Sequence, residues 1–232
     1  MTRDEQKRAV AVAAVEYVTP GTTIGVGTGS TAALFIEQLA AQPGLVAAAV
    51  PSSEASAAAL RAAGIPVVGL GEAPWLPLYV DGADAVDPEL RLIKGAGGAL
   101  AREKVVASAS GLFVCIVDET KLADRLAGAT GDHPQGAPVP LAVLPMAAPL
   151  VTARVRDLGG DAMLRAGFVA DDGLAIVDVT GLDLSDPERV EAELDAIPGV
   201  VECGVFARRG ADVVLVGFEA GVRTVRRPGP AA

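Results

Sequence analysis

Thr22-Thr23-Ile24-Gly25-Val26-Gly27-Thr28-Gly29-Ser30-Thr31 is the stretch on which the reading of the chain turns. A short apolar run ends in a glycine-dense turn, and from residue 30 to 41 apolar residues recur at helical spacing. The stretch therefore reads as a buried strand, a tight turn and a helix. Backbone N–H groups and hydroxyls at such a turn face whatever sits at the helix N-terminus, where phosphate is favoured. The glycine spacing is G-x-G-x-G, whereas a dinucleotide site needs G-x-G-x-x-G. The next strand also ends in Val50-Pro51-Ser52, without an acidic residue for a ribose diol. A Walker-type loop would need Gly-Lys-Ser/Thr, which is missing. A plain glycine turn with Ser30 capping the helix stays open as the bland alternative.

Working outward, residues 4–18 carry Val and Ala at helical spacing, and Pro20-Gly21 ends that helix. Strands are expected at 45–50, 65–70, 76–80 and 112–117, and helices at 53–63 and 98–110. This alternation implies parallel strands with helices on both faces, a Rossmann-like doubly wound α/β sheet. Residues 128–138 have the composition of a loop, and a domain boundary is expected there. Residues 1–127 would form the catalytic Rossmann-like domain, rejoined by about 207–232, and 128–206 a smaller domain. Within the latter, strand 139–144, helix 147–158, strands 162–168 and 174–179, helix 187–196 and strand 200–206 give the order βαββαβ of a ferredoxin-like α+β fold. Residues 212–217 return to the first sheet, and 223–232 read as a frayed basic tail.

The 232 residues and their 51% hydrophobic content guarantee a sizeable core. A net charge of −10 argues against nucleic acid or an acidic membrane as partner, so an anionic ligand must be held by a local positive site. Residues 1–7 lack the order of a secretion signal, and residues 133–153, an uncharged run of membrane length, contain Pro134, Pro138, Pro140, Pro145 and Pro149. No membrane partner is expected, and a cytoplasmic location is. Cys115 and Cys203 sit in apolar strand-like runs and read as buried free thiols in a reducing compartment, with no metal site.

Chemistry concentrates in Val80-Asp81-Gly82-Ala83-Asp84 and in Leu92-Ile93-Lys94-Gly95-Ala96-Gly97-Gly98-Ala99-Leu100-Ala101-Arg102-Glu103-Lys104. Asp81 and Asp84 follow a strand at its carboxyl end, where open α/β sheets hold ligands, although alone they could merely cap a helix or bind water. Lys94 and Glu103 extend the set. A carboxylate can take a proton α to a carbonyl, a lysine can stabilise the oxyanion that develops, and an aspartate can shuttle the proton that opens a sugar ring. Only four of the nineteen basic residues are lysine, which suggests that Lys is kept where a compact ammonium is needed. Lys121, after Asp118-Glu119-Thr120, could neutralise a phosphate or be a solvated turn residue. The one histidine, His133, falls in the linker loop and is expected to be solvated, which leaves histidine-based hydrolysis and metal binding without support.

Six segments stand in one order: Gly25-Val26-Gly27-Thr28-Gly29-Ser30-Thr31, Asp81-Gly82-Ala83-Asp84, Leu92-Ile93-Lys94-Gly95, Ala101-Arg102-Glu103-Lys104, Val117-Asp118-Glu119-Thr120-Lys121 and Ile197-Pro198-Gly199-Val200-Val201-Glu202. With them, nearly the whole chain resembles the A-type ribose-5-phosphate isomerases. The resemblance implies interconversion of D-ribose 5-phosphate and D-ribulose 5-phosphate through an enediolate, in the non-oxidative pentose phosphate pathway, without metal or organic cofactor. It further implies a homodimer or homotetramer of Rossmann-like domains, each with a small ferredoxin-like lid. Carried over by position, Glu103 moves the proton between C2 and C1, Asp81 and Lys94 assist ring opening and enediolate stabilisation, and Asp84 orders the site. Lys7, Thr28, Ser30, Thr31 and Lys121 would bind substrate, largely its phosphate, with Gly29, Gly82, Ala83, Gly95, Ala96 and Gly97 lining it.

The chain departs from that pattern at Ala85 and Ala142, where Glu is usual, at Ala96, which interrupts the glycine run, and in a longer loop at 128–138. Ala96 is expected to impede turnover, since its methyl forbids an easy positive φ beside the ligand. Two rival functions are a non-catalytic sugar-phosphate sensor and an acyl-CoA transferase or sugar-amine deaminase of similar fold. No helix-turn-helix or basic DNA-reading segment precedes residue 20, and the aspartate pair with Lys94 and Glu103 favours the isomerase.

Overall fold

The computed structural model describes residues 1–126, 132–133 and 136–227; most of the expected 128–138 loop and residues 228–232 lie outside this set. In chain order the elements are α1 (Arg3–Val15), β1 (Thr23–Val26), α2 (Ser30–Ala40), β2 (Ala48–Pro51), α3 (Glu54–Ala62), β3 (Leu76–Asp81), β4 (Ala85–Val86), β5 (Leu92–Ile93), α4 (Leu100–Ser108) and β6 (Ser110–Asp118). They continue with β7 (Val139–Val143), α5 (Ala148–Asp157), β8 (Asp161–Leu164), β9 (Ala175–Thr180), α6 (Pro187–Asp195), β10 (Val200–Cys203), β11 (Val205–Phe206), β12 (Val213–Phe218) and β13 (Gly221–Arg226). The chain divides into two compact units. One comprises Met1–Gly82, Val105–Glu119 and Ala211–Ala232, the other Ala83–Lys104 and Thr120–Gly210.

The first unit is built on a six-stranded sheet in the order β13-β12-β6-β3-β1-β2, parallel except for the β12–β13 pair. Strands covered on both faces are apolar along their buried length, as β6 is from Leu112 to Val117 and β12 from Val213 to Phe218. Phe35, Ile36 and Leu39 of α2 and Val10 and Ala14 of α1 join Ile24, Val80, Ile116 and Leu215 in one core. A capping box starts α1: Thr2 Oγ1 accepts from the Glu5 N–H, and Glu5 accepts from the Thr2 N–H. The expected strand at 65–70 shrinks to one bridge between Ala49 and Val67, because Pro66 lacks a donor and a turn closed on the Gly69 carbonyl by the Glu72 N–H follows. The expected frayed tail is corrected as well. Its residues to Arg226 belong to β13, an edge strand whose arginines lie over aromatic rings, Arg223 on Phe218 at 4.6 Å and Arg226 on Tyr17 at 5.6 Å.

The second unit carries the antiparallel sheet β10-β7-β9-β8, the strand order of a ferredoxin-like fold. Val151 and Val155 of α5 and Val190 and Leu194 of α6 pack with Leu141, Val143, Val177 and Val179 of the strands. A three-stranded ribbon, β11-β5-β4, completes it. Residues 83–104, grouped with the first domain on sequence, thus cluster with the second unit. Cys115 in β6 and Cys203 in β10 are buried and outside any disulfide, one in each unit. No helix among the described residues is long and apolar enough to cross a membrane.

Candidate active site

In the first unit the glycine turn is fastened by one aspartate. A Cβ at Gly27 would fall on the Asp81 carboxylate, so the close approach of β1's end to β3's end requires glycine. Asp81 is wholly buried. Its Oδ1 accepts from the N–H groups of Thr28 at 2.9 Å and Gly82 at 2.7 Å, and its Oδ2 from the Tyr79 hydroxyl at 2.5 Å. A buried carboxylate must be satisfied, and these three donors tie the turn after β1 to the turn after β3. A serine cluster holds the turn from the other side. Thr28 Oγ1 lies 2.9 Å from Ser52 Oγ, and Ser56 Oγ donates to the Gly27 carbonyl at 2.5 Å while its N–H is capped by Ser53.

The bland reading of Ser30 as helix cap is set aside by the backbone. Gly29 is the N-cap of α2, at φ 103° and ψ −179°, a conformation open essentially to glycine alone, and no side chain caps the helix. The first-turn N–H groups of α2 are left to a ligand or solvent. Lys7 brings its Nζ to 3.1 Å from Ser30 Oγ, positioned by Arg3–Asp118 and Gln6–Glu119 contacts of 3.1 and 2.8 Å that pin α1 to the end of β6. Lys7, Thr28, Gly29, Ser30 and Asp81 are therefore gathered, with Thr31 in the first turn of α2.

In the second unit Lys94 and Glu103 form a buried pair, Nζ to Oε2 3.3 Å, with side chains 3% and 6% exposed. The Lys94 N–H donates to the Gly204 carbonyl at 3.0 Å, and its ammonium lies 5.6 Å from the centre of the Phe206 ring. Glu103 comes from the first turn of α4, where a carboxylate suits the helix dipole. Between them the chain reverses on Gly95 and Gly98, both at positive φ, whereas Ala96 keeps an ordinary negative φ. The backbone objection to Ala96 is thus removed. Its N–H donates to Asp84 Oδ2 at 2.9 Å, and its carbonyl accepts from Arg165 at 2.8 Å, whose guanidinium Asp178 grips with both oxygens.

Asp84, Ala96, Arg165 and His133 line a cavity of about 600 Å³ in this unit, so His133 is half-buried rather than the solvated linker residue expected. Lys121 is bound by Asp132 at 2.6 Å. Ala85 and Ala142 are both buried, which leaves a small side chain as the simple fit at each. Sequence reasoning missed Tyr79, Ser52, Ser56 and Arg165. Tyr79 was within reach, since residues two apart on a strand share a face and Asp81 needs a donor there.

A carboxylate and an ammonium side by side, nearly dry, can take a proton from carbon and steady the oxyanion that results. Comparison with known proteins agrees. A sequence profile described as Ribose 5-phosphate isomerase A (phosphoriboisomerase A) matches residues 48–221. The ribose 5 phosphate isomerase A of Neisseria gonorrhoeae is 42% identical, with 98% of this chain and 99% of that one covered at a TM-score of 0.93. The enzyme of Methanocaldococcus jannaschii is 36% identical, with 97% and 100% covered and a TM-score of 0.89. A D-ribose-5-phosphate isomerase solved with phospho-erythronic acid is also 36% identical, with 98% and 100% covered and a TM-score of 0.91.

Proposed function

The chain belongs to the ribose 5-phosphate isomerase A family, and from that membership we propose how its residues interconvert D-ribose 5-phosphate and D-ribulose 5-phosphate. The observation that carries the reading is the buried Lys94–Glu103 pair. Glu103 removes the proton from C2 of the open-chain aldose. The released electron pair forms the C1–C2 double bond, and the carbonyl oxygen on C1 takes up negative charge beside the Lys94 ammonium. The hydroxyl proton on O2 passes to O1, and Glu103 returns its proton to C1, which leaves the ketone at C2 and changes neither composition nor oxidation state overall.

The remaining roles follow from burial and hydrogen bonding. The uncapped first turn of α2, with Thr28, Gly29, Ser30, Thr31 and Lys7, binds the phosphate, and the family's ligand-bound relative, solved with a phosphorylated sugar acid, supports that class of ligand. Asp81 holds this loop through the donors of Thr28, Gly82 and Tyr79 and assists ring opening. Asp84 orders the site through the Ala96 N–H, with Gly82, Ala83, Gly95, Ala96 and Gly97 as the backbone that borders the sugar and Lys121 as a further phosphate cation. The set of carboxylates and lysines suffices for the chemistry without a metal or organic cofactor. We place the protein in the cytoplasm, where buried free thiols persist, as a homodimer or homotetramer of the non-oxidative pentose phosphate pathway.

The test is conversion of ribose 5-phosphate to the ketopentose phosphate in deuterated water, by the natural chain and by Glu103→Gln. Glu103→Gln keeps shape but removes the base, so kcat falls by about 10²–10⁴-fold and deuterium entry from solvent ceases. Near-normal exchange in that variant would remove Glu103 from the role.

A further inference from the structure

Lys104 follows the proposed base directly in sequence and carries a separate set of contacts. Its ammonium is buried and fully engaged, donating to Glu191 at 2.9 Å and to the Val205 carbonyl at 2.8 Å, and lying 2.7 Å from Glu202. It also sits 3.7 Å from Cys203 Sγ and 4.7 Å from the centre of the Phe206 ring. Glu191 spends its second oxygen on the N–H groups of Ala207 at 3.0 Å and Arg208 at 2.8 Å. One buried cation and its carboxylate therefore hold the whole run from residue 202 to 208 against α4.

That run is also the seat of Lys94. Gly204, inside it, accepts the Lys94 N–H at 3.0 Å; β11 pairs with β5, the strand leading into Lys94; and the Phe206 ring lies under both ammonium groups. Glu103 is placed by α4 and Lys94 by the run, and Lys104 is the side chain that joins α4 to the run. We propose that Lys104 is a positioning residue for the isomerisation, setting the distance between the Glu103 carboxylate and the Lys94 ammonium through the segment 202–208. Burial alone would pull its pKa down, but the Glu191 and Glu202 carboxylates beside it reverse that and raise it, so the clamp stays charged through the neutral range.

The arrangement has a built-in cost that favours a functional explanation. A buried ion pair is weak evidence for stability, since well-packed apolar residues often do as well. What it supplies here is direction: three acceptors around one ammonium fix the run in rotation as well as in distance.

The proposal rests on the reading of Glu103 as base, and the experiment separates the two. The natural chain, Lys104→Met and Glu191→Gln are compared with ribose 5-phosphate and with the same sugar deuterated at C2. Folding is checked by circular dichroism and thermal melting. A displacement of about 1 Å in a reacting pair can cost about 100-fold, so kcat of Lys104→Met should fall by about 10–100-fold with KM changed less than about 3-fold. The deuterium isotope effect on kcat/KM should rise, since proton removal becomes the slow step. A loss of folded enzyme lowers kcat but leaves the isotope effect unmoved, and that pattern would overturn the proposal, as would natural rates. Should Lys104→Met fail to fold, Glu191→Gln decides. That variant keeps the ammonium and loosens the run, and it should show a smaller fall in kcat with the isotope effect again raised; an unchanged isotope effect overturns the idea. A natural chain inactive on ribose 5-phosphate would refute the assigned function instead.

Discussion

Lys94 is held at both its backbone and its ammonium. Its backbone is tied to Gly204, its ammonium to Glu103, and an aromatic ring lies along it. A guanidinium is planar and larger and cannot enter that space on the same line. Lys94→Arg should therefore lose about 10²–10³-fold in kcat, the loss expected when an oxyanion donor is removed, with KM little changed. Lys121→Arg should show only a modest rise in KM, because a phosphate accepts either cation. Steady-state kinetics of the two variants side by side check both statements, and a near-natural Lys94→Arg would dismiss the compact ammonium. Tyr79→Phe isolates one hydrogen bond to Asp81. It should cost about 1–3 kcal/mol in urea unfolding, since a buried carboxylate loses a donor, and should raise KM by slackening the phosphate loop. The charged residues proposed for acid–base chemistry could be picked out because charges among glycines at a strand's end have few structural uses. Ser52, Ser56 and the acceptors of Lys104 could not, because a buried polar group announces its partner only in three dimensions.

Strands and turns differ in how openly they declare themselves. The strand–turn–helix at residues 23–40 was readable from pattern alone, as was the ferredoxin-like order of the smaller sheet. Three elements were not. β4 and β5 are two residues each and exist only by pairing with each other and with β11, about 110 residues later in the chain. β13 looked like a tail because its arginines and exposed positions are what an edge strand uses to refuse further partners. Deleting residues 221–232 should strip the antiparallel cover from β12, lower stability by about 3 kcal/mol if a few ladder bonds near 1 kcal/mol each are lost, and promote self-association. Chemical denaturation and light scattering read the two effects. The turn after β1 offers a sharper element-level test. Nothing lies within 4 Å of a Cβ at Gly29, yet its backbone angles exclude other residues. Gly29→Ala and Gly29→Asn should be about equally harmful, by about 1–3 kcal/mol of strain or by a displaced loop with a raised KM. Rescue by Asn would show that the backbone there is ordinary left-handed helix.

Across the whole molecule, the division into units was the least legible feature. Composition marked a boundary near residue 128, but the chain passes between units at four places, after Gly82, Lys104, Glu119 and Gly210. Such interleaving depends on which distant segments pair, and no local signal records it. The exchange splits the proposed machinery in sequence: the phosphate loop and Asp81 belong to the first unit, Asp84, Lys94 and Glu103 to the second. It also splits the sulfur. Cys115 lies within the parallel sheet and Cys203 within the other unit, both fully buried, and burial pushes the Cys203 thiol far above its ordinary range, so neither should react in the native state. The chain thereby carries one silent chemical probe in each half. Brief exposure to a maleimide along a denaturant series, followed by peptide mass spectrometry, should label both thiols together if the halves melt as one and Cys203 or Cys115 first if they do not. The natural sequence, with no engineered dye or added cysteine, is thus already equipped to report whether the two halves of an interleaved enzyme come apart in order or at once.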